Sequence, residues 1–192
     1  WLAAYRKRNQ SALPTLSVPL EPFLEQRAAI CRSRAPTGLL TSLNMFVQME
    51  GDVLASRLTP DARRAGIILT DLKTAIDKHT DLVKNALPTL KDPISKMAAA
   101  HFTNGMFLSL PPHATLTLDT QTLCGLATNV LNLVVLDHNA HLTLNTTIID
   151  DGSLNQHTHI VLGAHSTINY AFIQKASPQA IVFDGLTIEA DN

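Results

Sequence analysis

The sequence predicts a mainly β protein, with a right-handed parallel β-helix over residues 101–192 and a small α/β region over residues 1–100. The first observation is a repeat in which Ala is followed by one or two small or polar residues and then by apolar residues alternating with Thr. The repeated segments are His113–Leu118, Asn139–Leu144 and Gly163–Ile168. Their alanines recur at a nearly constant spacing of about 25 residues, and Ala190 continues the series. A repeat of this length built from strands and turns is typical of a solenoid, whose coils bury their apolar faces against their neighbours.

The alanines define the expected alignment of the coils. We expect Ala114, Ala140 and Ala164 to be equivalent, with neighbouring Cα atoms about 5 Å apart, the spacing between paired strands. Coils of about 25 residues would each hold two or three short strands. A left-handed hexapeptide solenoid is not predicted, because the sequence lacks a strict six-residue period and coils of about 18 residues.

The second observation is a change of pattern from Phe102 onward, where helical periodicity ends and Thr, Asn and β-branched residues become frequent. Residues 131–136 are nearly all apolar, which is typical of a strand covered on both faces. Residues 107–110 form another predicted strand, which should end at Pro111-Pro112. Corners between strands are predicted at Asp137–Asn139, Asp150–Gly152 and Leu162–Gly163.

The N-terminal region is predicted to begin with short elements. A short helix is expected over residues 24–30, between prolines. Residues 44–49 and 52–54 flank Glu50-Gly51, which predicts a hairpin in which Gly supplies the positive φ of a tight turn. Residues 66–69 form a further short apolar strand.

Two short helices are predicted after this strand. Apolar residues recur at spacings of three and four over residues 72–87, with a break near His79. Thr70 and Thr80 are the expected N-caps, because their hydroxyls can accept hydrogen bonds from the first turn. Pro88 should end the second helix.

The two regions differ in charge. Residues 1–100 hold 14 of the 15 Lys and Arg and 9 of the 16 carboxylates, whereas residues 101–192 hold only Lys175 and seven of the eight His. The basic residues are scattered and lack interleaved aromatic residues, so no nucleic-acid partner is predicted. We interpret the charge difference as two solvated surfaces.

Other features bear on the compartment. The sequence has no run of 18 apolar residues, so no membrane span is predicted. Charges follow the short apolar start of the chain, which is the reverse of a secretory signal. Cys31 and Cys124 lie in different halves without a partner spacing, which favours a reducing cytoplasm over a disulfide framework.

The residues that a metal site would use are His157 and His159, which the strand pattern places on one face. His141 and His165 could join them only if adjacent coils stacked in register. Zinc or iron needs three or four converging ligands. We therefore interpret these histidines as solvent-facing residues on a Thr-rich surface, and predict no metal site and no catalytic residue.

Paired carboxylates at Asp150-Asp151 resemble those of glycoside hydrolases. Neighbouring strand residues point to opposite faces, however, and Asp-Asp-Gly is an ordinary turn. A polysaccharide lyase would need Arg or Lys to handle an acidic sugar, and this half offers one Lys. Cys124 lies among apolar neighbours and is expected in the core.

Three segments also carry a resemblance to a known family. They are Gly66–Leu72 with Ala75, His79 and Asp81–Val83; Met97–Pro111; and Leu131–Val135 with Asn139–Leu144. In this order they resemble the SufB/SufD family of iron–sulfur cluster assembly proteins. The resemblance covers residues 43–192, and the Thr-rich coils are more similar to SufD than to SufB.

The resemblance implies a non-catalytic, cytoplasmic scaffold subunit of a SufBCD-type complex. The implied partners are a SufB-like paralogue, paired through the β-helices, and a SufC-like ATPase. An iron–sulfur cluster is implied only at the level of the full complex, so no cofactor is assigned to this chain.

The chain departs from the family pattern at its C-terminal side. It stops at Asn192 in the middle of a coil and lacks the SufC-binding helical region, so we expect it to be a fragment. An uncovered coil should also favour a homodimer. Two other functions stay open, a carbohydrate-active β-helix enzyme and a stand-alone β-helix binding module.

Overall fold

The computed structural model describes residues 1–10, 42–125 and 127–190. The N-terminal elements are α1 (Leu2–Gln10), β1 (Met45–Met49), β2 (Asp52–Arg57), α2 (Pro60–Arg64), β3 (Ile68–Asp71), α3 (Leu72–Lys78), α4 (Thr80–Ala86) and α5 (Pro93–His101). The strands that follow are β4 (Met106–Leu110), β5 (Thr115–Cys124), β6 (Ala127–Leu136), β7 (His141–Asp150), β8 (Ser153–Leu162), β9 (Thr167–Ala176) and β10 (Ile181–Ala190). The helix predicted over residues 24–30 and Cys31 lie outside the described residues.

The strands form two sheets, with the order β2-β1-β5-β7-β9 in the first and β10-β8-β6-β4-β3 in the second. From β5 to β10 the chain alternates between the sheets, so each coil adds one ten-residue strand to each sheet. Strands of successive coils pair in parallel. The protein is therefore mainly β, a parallel β-solenoid of about three turns preceded by a small α/β region, which confirms the predicted fold class.

The register of the first sheet corrects one prediction. Thr115 aligns with His141 and His141 with Thr167, and the step is the same in both cases. The residue before Thr167 is Ser166, so Ser166 rather than Ala164 is equivalent to Ala140. The prediction of a row of three alanines was wrong in its third member, because the register follows the strand starts and not the alanines.

The feature that does repeat at this step is a left-handed backbone conformation at the corner before β5, β7 and β9. It occurs at His113, Asn139 and His165, with φ of 63°, 55° and 60°. Successive coils are bonded at these corners, since His113 N donates to His138 O at 3.1 Å and Asn139 N donates to Ala164 O at 3.0 Å.

A glycine at the third of these corners should stabilise the protein. His165 is exposed and adopts a φ that costs a residue with a Cβ about 1 kcal/mol. We expect His165→Gly to raise the free energy of unfolding by about 0.5 kcal/mol. This is less than the strain that the substitution removes, because glycine also increases the conformational entropy of the unfolded chain. Asn139→Gly should change little, since Asn tolerates this conformation. Urea unfolding measures both, and a destabilised His165→Gly variant would contradict the account.

The second sheet has one irregular step. Ala127 of β6 aligns with Ser153 of β8. Aligned residues of these two strands, such as Asn129 and Asn155, are 26 residues apart in sequence. Ser153 aligns with Ile181, where the matching pair Gln156 and Asp184 is 28 residues apart. The extra residues lie in the turn between β9 and β10, so the coil of β9 and β10 is longer on one side only.

The N-terminal strands extend both sheets. The predicted hairpin is confirmed: β1 and β2 are antiparallel around Glu50 and Gly51, whose φ values of 53° and 91° fit a tight two-residue turn. Strand β1 then pairs in parallel with β5, and β3 pairs antiparallel with β4. Thus β2 is one edge strand of the first sheet and β3 is one edge strand of the second.

The predicted helices are present, but their caps differ by one residue. Asp71 rather than Thr70 caps α3, and its carboxylate accepts from Thr74 N at 2.9 Å. His79 rather than Thr80 precedes α4, and the Thr80 hydroxyl donates back to Ile76 O at 2.6 Å. A carboxylate is the stronger cap because it also complements the positive helix end.

Helices cover the outer face of the second sheet. Helices α3 and α4 bury Leu72 and Val83 against Phe107 and Leu133, while apolar residues of both sheets fill the solenoid interior. Helix α5 was not predicted, although Asp92 caps it by accepting from Ser95 N at 2.8 Å. It lies across β6 and β8 and determines the surroundings of the histidines on β8.

Candidate functional site

The two histidines that a metal site would use are buried on the outer face of β8. His157 and His159 are each only 1% exposed, so their interpretation as solvent-facing residues was wrong. Helix α5 covers this face, and Asn155, also on β8, donates to Ile94 O of the helix at 3.2 Å. The covering helix comes much earlier in the chain, and the local strand pattern carries no sign of it.

The polar groups of these histidines have few partners. His157 Nε2 lies 3.0 Å from Thr187 Oγ1, while Nδ1 of His157 and both nitrogens of His159 have no hydrogen-bond partner among the described residues. Burial and, to a lesser extent, the nearby His159 lower the pKa of His157 to about 4, against the opposing effect of Asp92. Burial likewise lowers the pKa of His159, against the effect of Glu189 at 3.9 Å. Both imidazoles are therefore neutral at physiological pH.

The buried His157 should make stability depend on pH. The unfolded imidazole has a pKa near 6.5, so between about pH 6.5 and 4 the unfolded state binds more protons and stability falls as the pH falls. We expect wild type to lose about 2 kcal/mol more than His157→Gln between about pH 7 and pH 4.5. His141→Gln, at an exposed residue, should behave as wild type. Urea unfolding at the two pH values is the measurement, and equal losses in wild type and His157→Gln would refute this.

The other candidate ligands do not join the pair. His141 and His165 are exposed and lie at the first sheet, whereas β8 belongs to the second. The rings of His113 and His138 approach edge to face, with centroids 5.2 Å apart. Within residues 1–10, 42–125 and 127–190, no group of three or more His, Cys, Asp or Glu side chains is arranged to hold a metal ion.

The paired carboxylates diverge, as expected for a turn. Asp150 is buried and accepts from Gly152 N at 2.7 Å, and burial raises the pKa of its carboxyl group. Asp151 is exposed. Cys124 is buried, as predicted, and its Sγ donates to Ser153 O at 3.5 Å.

A buried row of polar side chains runs through the solenoid interior along the stacking direction. Thr120 Oγ1 donates to Thr146 Oγ1 on the next coil at 3.0 Å. Thr122 Oγ1 donates to Gln156 Oε1 at 3.0 Å, and Gln156 Nε2 donates to Asp184 Oδ1 at 2.9 Å. Each bond joins successive strands or facing sheets, so this polar row fixes the relative position of the coils.

Sequence reasoning missed this row, although the signal was present. Thr120 and Thr146 are 26 residues apart, as are Asn132 and Thr158. Polar residues at matching inward positions of successive coils are such a signal, but only once the register of the coils is known.

The coil of β9 and β10 has a large uncovered edge. Strand β9 pairs with β7 and β10 pairs with β8, and no other described strand pairs with either. Apolar side chains on this coil are exposed to between 37% and 53%, namely Phe172, Ile173, Phe183, Leu186 and Ile188. Leu186 and Ile188 continue rows of stacked side chains in the solenoid interior, since Leu186 aligns with Thr158 and Ile188 with Ile160. We call this surface the β9–β10 edge.

The β9–β10 edge can bind protein by two means at once. Its strands present backbone N–H and C=O groups that a further strand would pair with. Its apolar side chains gain about 25 cal/mol for each Å² removed from water. The combination of unpaired backbone groups and exposed apolar side chains makes the β9–β10 edge the strongest candidate for a functional surface.

Comparisons with protein-family models, with curated proteins and with solved structures gave no match. No helix among the described residues is long and apolar enough to cross a membrane.

Proposed function

We propose that this chain is a SufD-like scaffold subunit of a cytoplasmic SufBCD-type complex that assembles iron–sulfur clusters. The observation that carries the proposal is the β9–β10 edge, formed by the outermost strand of each sheet, whose outer side and apolar residues are uncovered among the described residues. The family that the sequence resembles pairs its subunits through their β-helices, and an edge of this kind suits such pairing.

The positions of the resembling segments support the proposal. Residues 66–72 contain β3 and the start of α3, residues 97–111 contain the end of α5 and β4, and residues 131–144 contain part of β6 and the start of β7. In the second sheet β3 pairs with β4, and β4 pairs with β6. The three segments are therefore in contact through neighbouring strands of one sheet. Such contact is expected if the segments together form a structural unit of the family.

The iron–sulfur cluster is the cargo of the proposed complex. We assign it no ligand in this chain and propose that this subunit acts through its surfaces. Its partners would be a SufB-like paralogue at the β9–β10 edge and a SufC-like ATPase elsewhere in the assembly.

Co-expression tests the proposal. The chain should co-purify with the SufB-like paralogue and the SufC-like ATPase of the same genome. A Phe183→Glu, Ile188→Glu double variant should abolish co-purification, because it places two charges in the contact. The matched control is Leu54→Glu on β2, since Leu54 is exposed to a similar extent, 44%, in the N-terminal hairpin. Failure to form the complex, or cleavage of a polysaccharide by the purified chain, would overturn the proposal.

Without a partner, the same edge should join two copies of the chain. We expect concentration-dependent self-association at about micromolar concentration, since apolar strand edges gain by pairing. The Phe183→Glu, Ile188→Glu variant should be monomeric in sedimentation velocity experiments, while Leu54→Glu should associate as wild type does. A wild-type chain that sediments as a monomer at every concentration would contradict this expectation.

A further inference from the structure

A cavity of about 430 Å³ lies at the opposite end of the solenoid from the β9–β10 edge. It is lined by residues of β2, β3, α2 and α3 and of the segments between them, so it lies where the edge strands of the two sheets approach one another. Its volume falls within the range of small-molecule binding sites.

The apolar part of the cavity is formed by residues that are also part of the fold. Leu58 and Ile67 are 8% and 6% exposed and belong to the main core cluster. Leu69 of β3 packs against the same cluster, and Ile68 also lines the cavity. A ligand with a short hydrocarbon body would contact a wall whose side chains the core already holds in place.

The polar part of the cavity is cationic. Arg63 and Lys78 line it together with Thr70 and Thr74, and the described residues that line it include no carboxylate. Both cations lie in the last turn of a helix, at the end of α2 and of α3 respectively. The negative helix ends favour these charges, and both side chains carry several N–H groups that can donate to a bound anion.

Two carboxylates that lie close in sequence to the lining residues are engaged elsewhere. Asp61 forms an ion pair with Arg64, which lies outside the cavity lining. Asp71 caps α3 by accepting from Thr74 N at 2.9 Å. Neither Arg63 nor Lys78 forms an ion pair with any residue that the structure describes. Two such cations beside an apolar wall attract an anion more strongly than they would in open water.

We propose that this cavity binds a small amphiphilic anion, a carboxylate or a phosphate monoester with a short apolar chain. The anionic group contacts Arg63 and Lys78 and accepts from the threonine hydroxyls, while the hydrocarbon lies against Leu58, Ile67 and Leu69. The inference is independent of the proposed scaffold function, since the residues that line the cavity and those that form the β9–β10 edge are different.

Titration calorimetry on the full chain tests the inference with four probes that share a six-carbon chain. Hexanoate and hexyl phosphate should bind with Kd at or below about 1 mM. Neutral 1-hexanol should bind at least about fivefold more weakly and hexylammonium more weakly still, because the cations repel it. The ratio of the two anion affinities tells whether the site prefers carboxylate or phosphate.

Charge-removing variants test the assignment of residues. Arg63→Gln and Lys78→Gln should each weaken hexyl phosphate binding by about fivefold, because each variant loses one partly exposed contact between a cation and the anion. The matched control is Lys73→Gln, which removes a charge from the same helix as Lys78 but outside the cavity lining. Its affinity should equal that of wild type, and circular dichroism should show all three variants folded.

Three results would overturn the inference. The first is no binding of either anion at about 10 mM. The second is binding of 1-hexanol as tight as that of the anions, which would show an apolar cavity without charge recognition. The third is anion binding that Lys73→Gln weakens as much as Arg63→Gln and Lys78→Gln do, which would show attraction to the general surface charge.

Discussion

Gly105→Ala should destabilise the protein by about 4 kcal/mol or more, or prevent folding altogether. A Cβ at this position would overlap the carbonyl oxygen of Leu131 and would lie 2.6 Å from the carbonyl carbon. Both are backbone atoms, so no side chain can rotate out of the way. The segment cannot shift freely either, because Gly105 O accepts from Leu72 N at 2.8 Å and Asn104 O accepts from Leu131 N at 3.2 Å.

Gly66→Ala is the matched control for this prediction. Gly66 has a φ of 82°, but the nearest atom to a Cβ there is Pro111 Cγ at 3.7 Å, an ordinary contact. The cost should therefore be that of the backbone conformation alone, about 1 kcal/mol. Urea unfolding of the two variants compares them directly. A Gly105→Ala protein as stable as Gly66→Ala would show that the approach to Leu131 is not as close as described.

Asn132→Ala is the second change expected to have a large effect, about 3 kcal/mol. The Asn132 carboxamide is buried inside the solenoid, where its Oδ1 accepts from Met106 N at 2.9 Å and from Gln48 Nε2 at 3.4 Å. Its Nδ2 donates to Thr158 Oγ1 at 3.3 Å. Alanine would leave the buried Met106 N–H without a partner and would also leave a cavity.

Thr158→Val separates these contributions. Valine has almost the same shape as threonine, so only the acceptor for Asn132 Nδ2 is lost, and we expect a cost of about 1 kcal/mol. Thermal or urea unfolding should place Asn132→Ala well below Thr158→Val in stability. If the two variants were equally stable, the bond to Met106 N would contribute nothing measurable.

The solenoid is predictable from the sequence because its signals are local and repeated. Alternating apolar residues, near-continuous apolar runs such as residues 131–136, and turn residues at the corners all act within a single coil. The β1–β2 hairpin is likewise predicted by a local signal, Glu50-Gly51 between two apolar segments. Ala164 was misplaced because alanine fits several corner positions, whereas the left-handed conformation repeats at the same step as the strands.

The surroundings of the candidate sites depend on contacts between distant parts of the chain. His157 is buried because α5 lies over β8, and the cavity beside Arg63 exists because the edges of two sheets meet there. Neither arrangement has a local periodicity. Helix α5 itself could have been predicted from Asp92, Pro93 and Ser95, which form a capping sequence followed by good helix formers.

The nearly constant step between stacked strands also has a kinetic consequence. Strand partners in the coils are separated by 26 or 28 residues however many coils are stacked, which is about 0.14 of the chain length. The entropy cost of closing the loop for each new coil is therefore nearly the same as for the previous coil. In a longer solenoid of this kind, the rate of pairing each further strand would not fall with the number of coils. The N-terminal strands are the exceptions, since Ile68 of β3 and its partner Ser109 on β4 are 41 residues apart, and Gln48 of β1 and its partner Thr122 on β5 are 74 residues apart. We expect the coils to fold by sequential growth and the N-terminal hairpin to dock late, onto strands that have already formed.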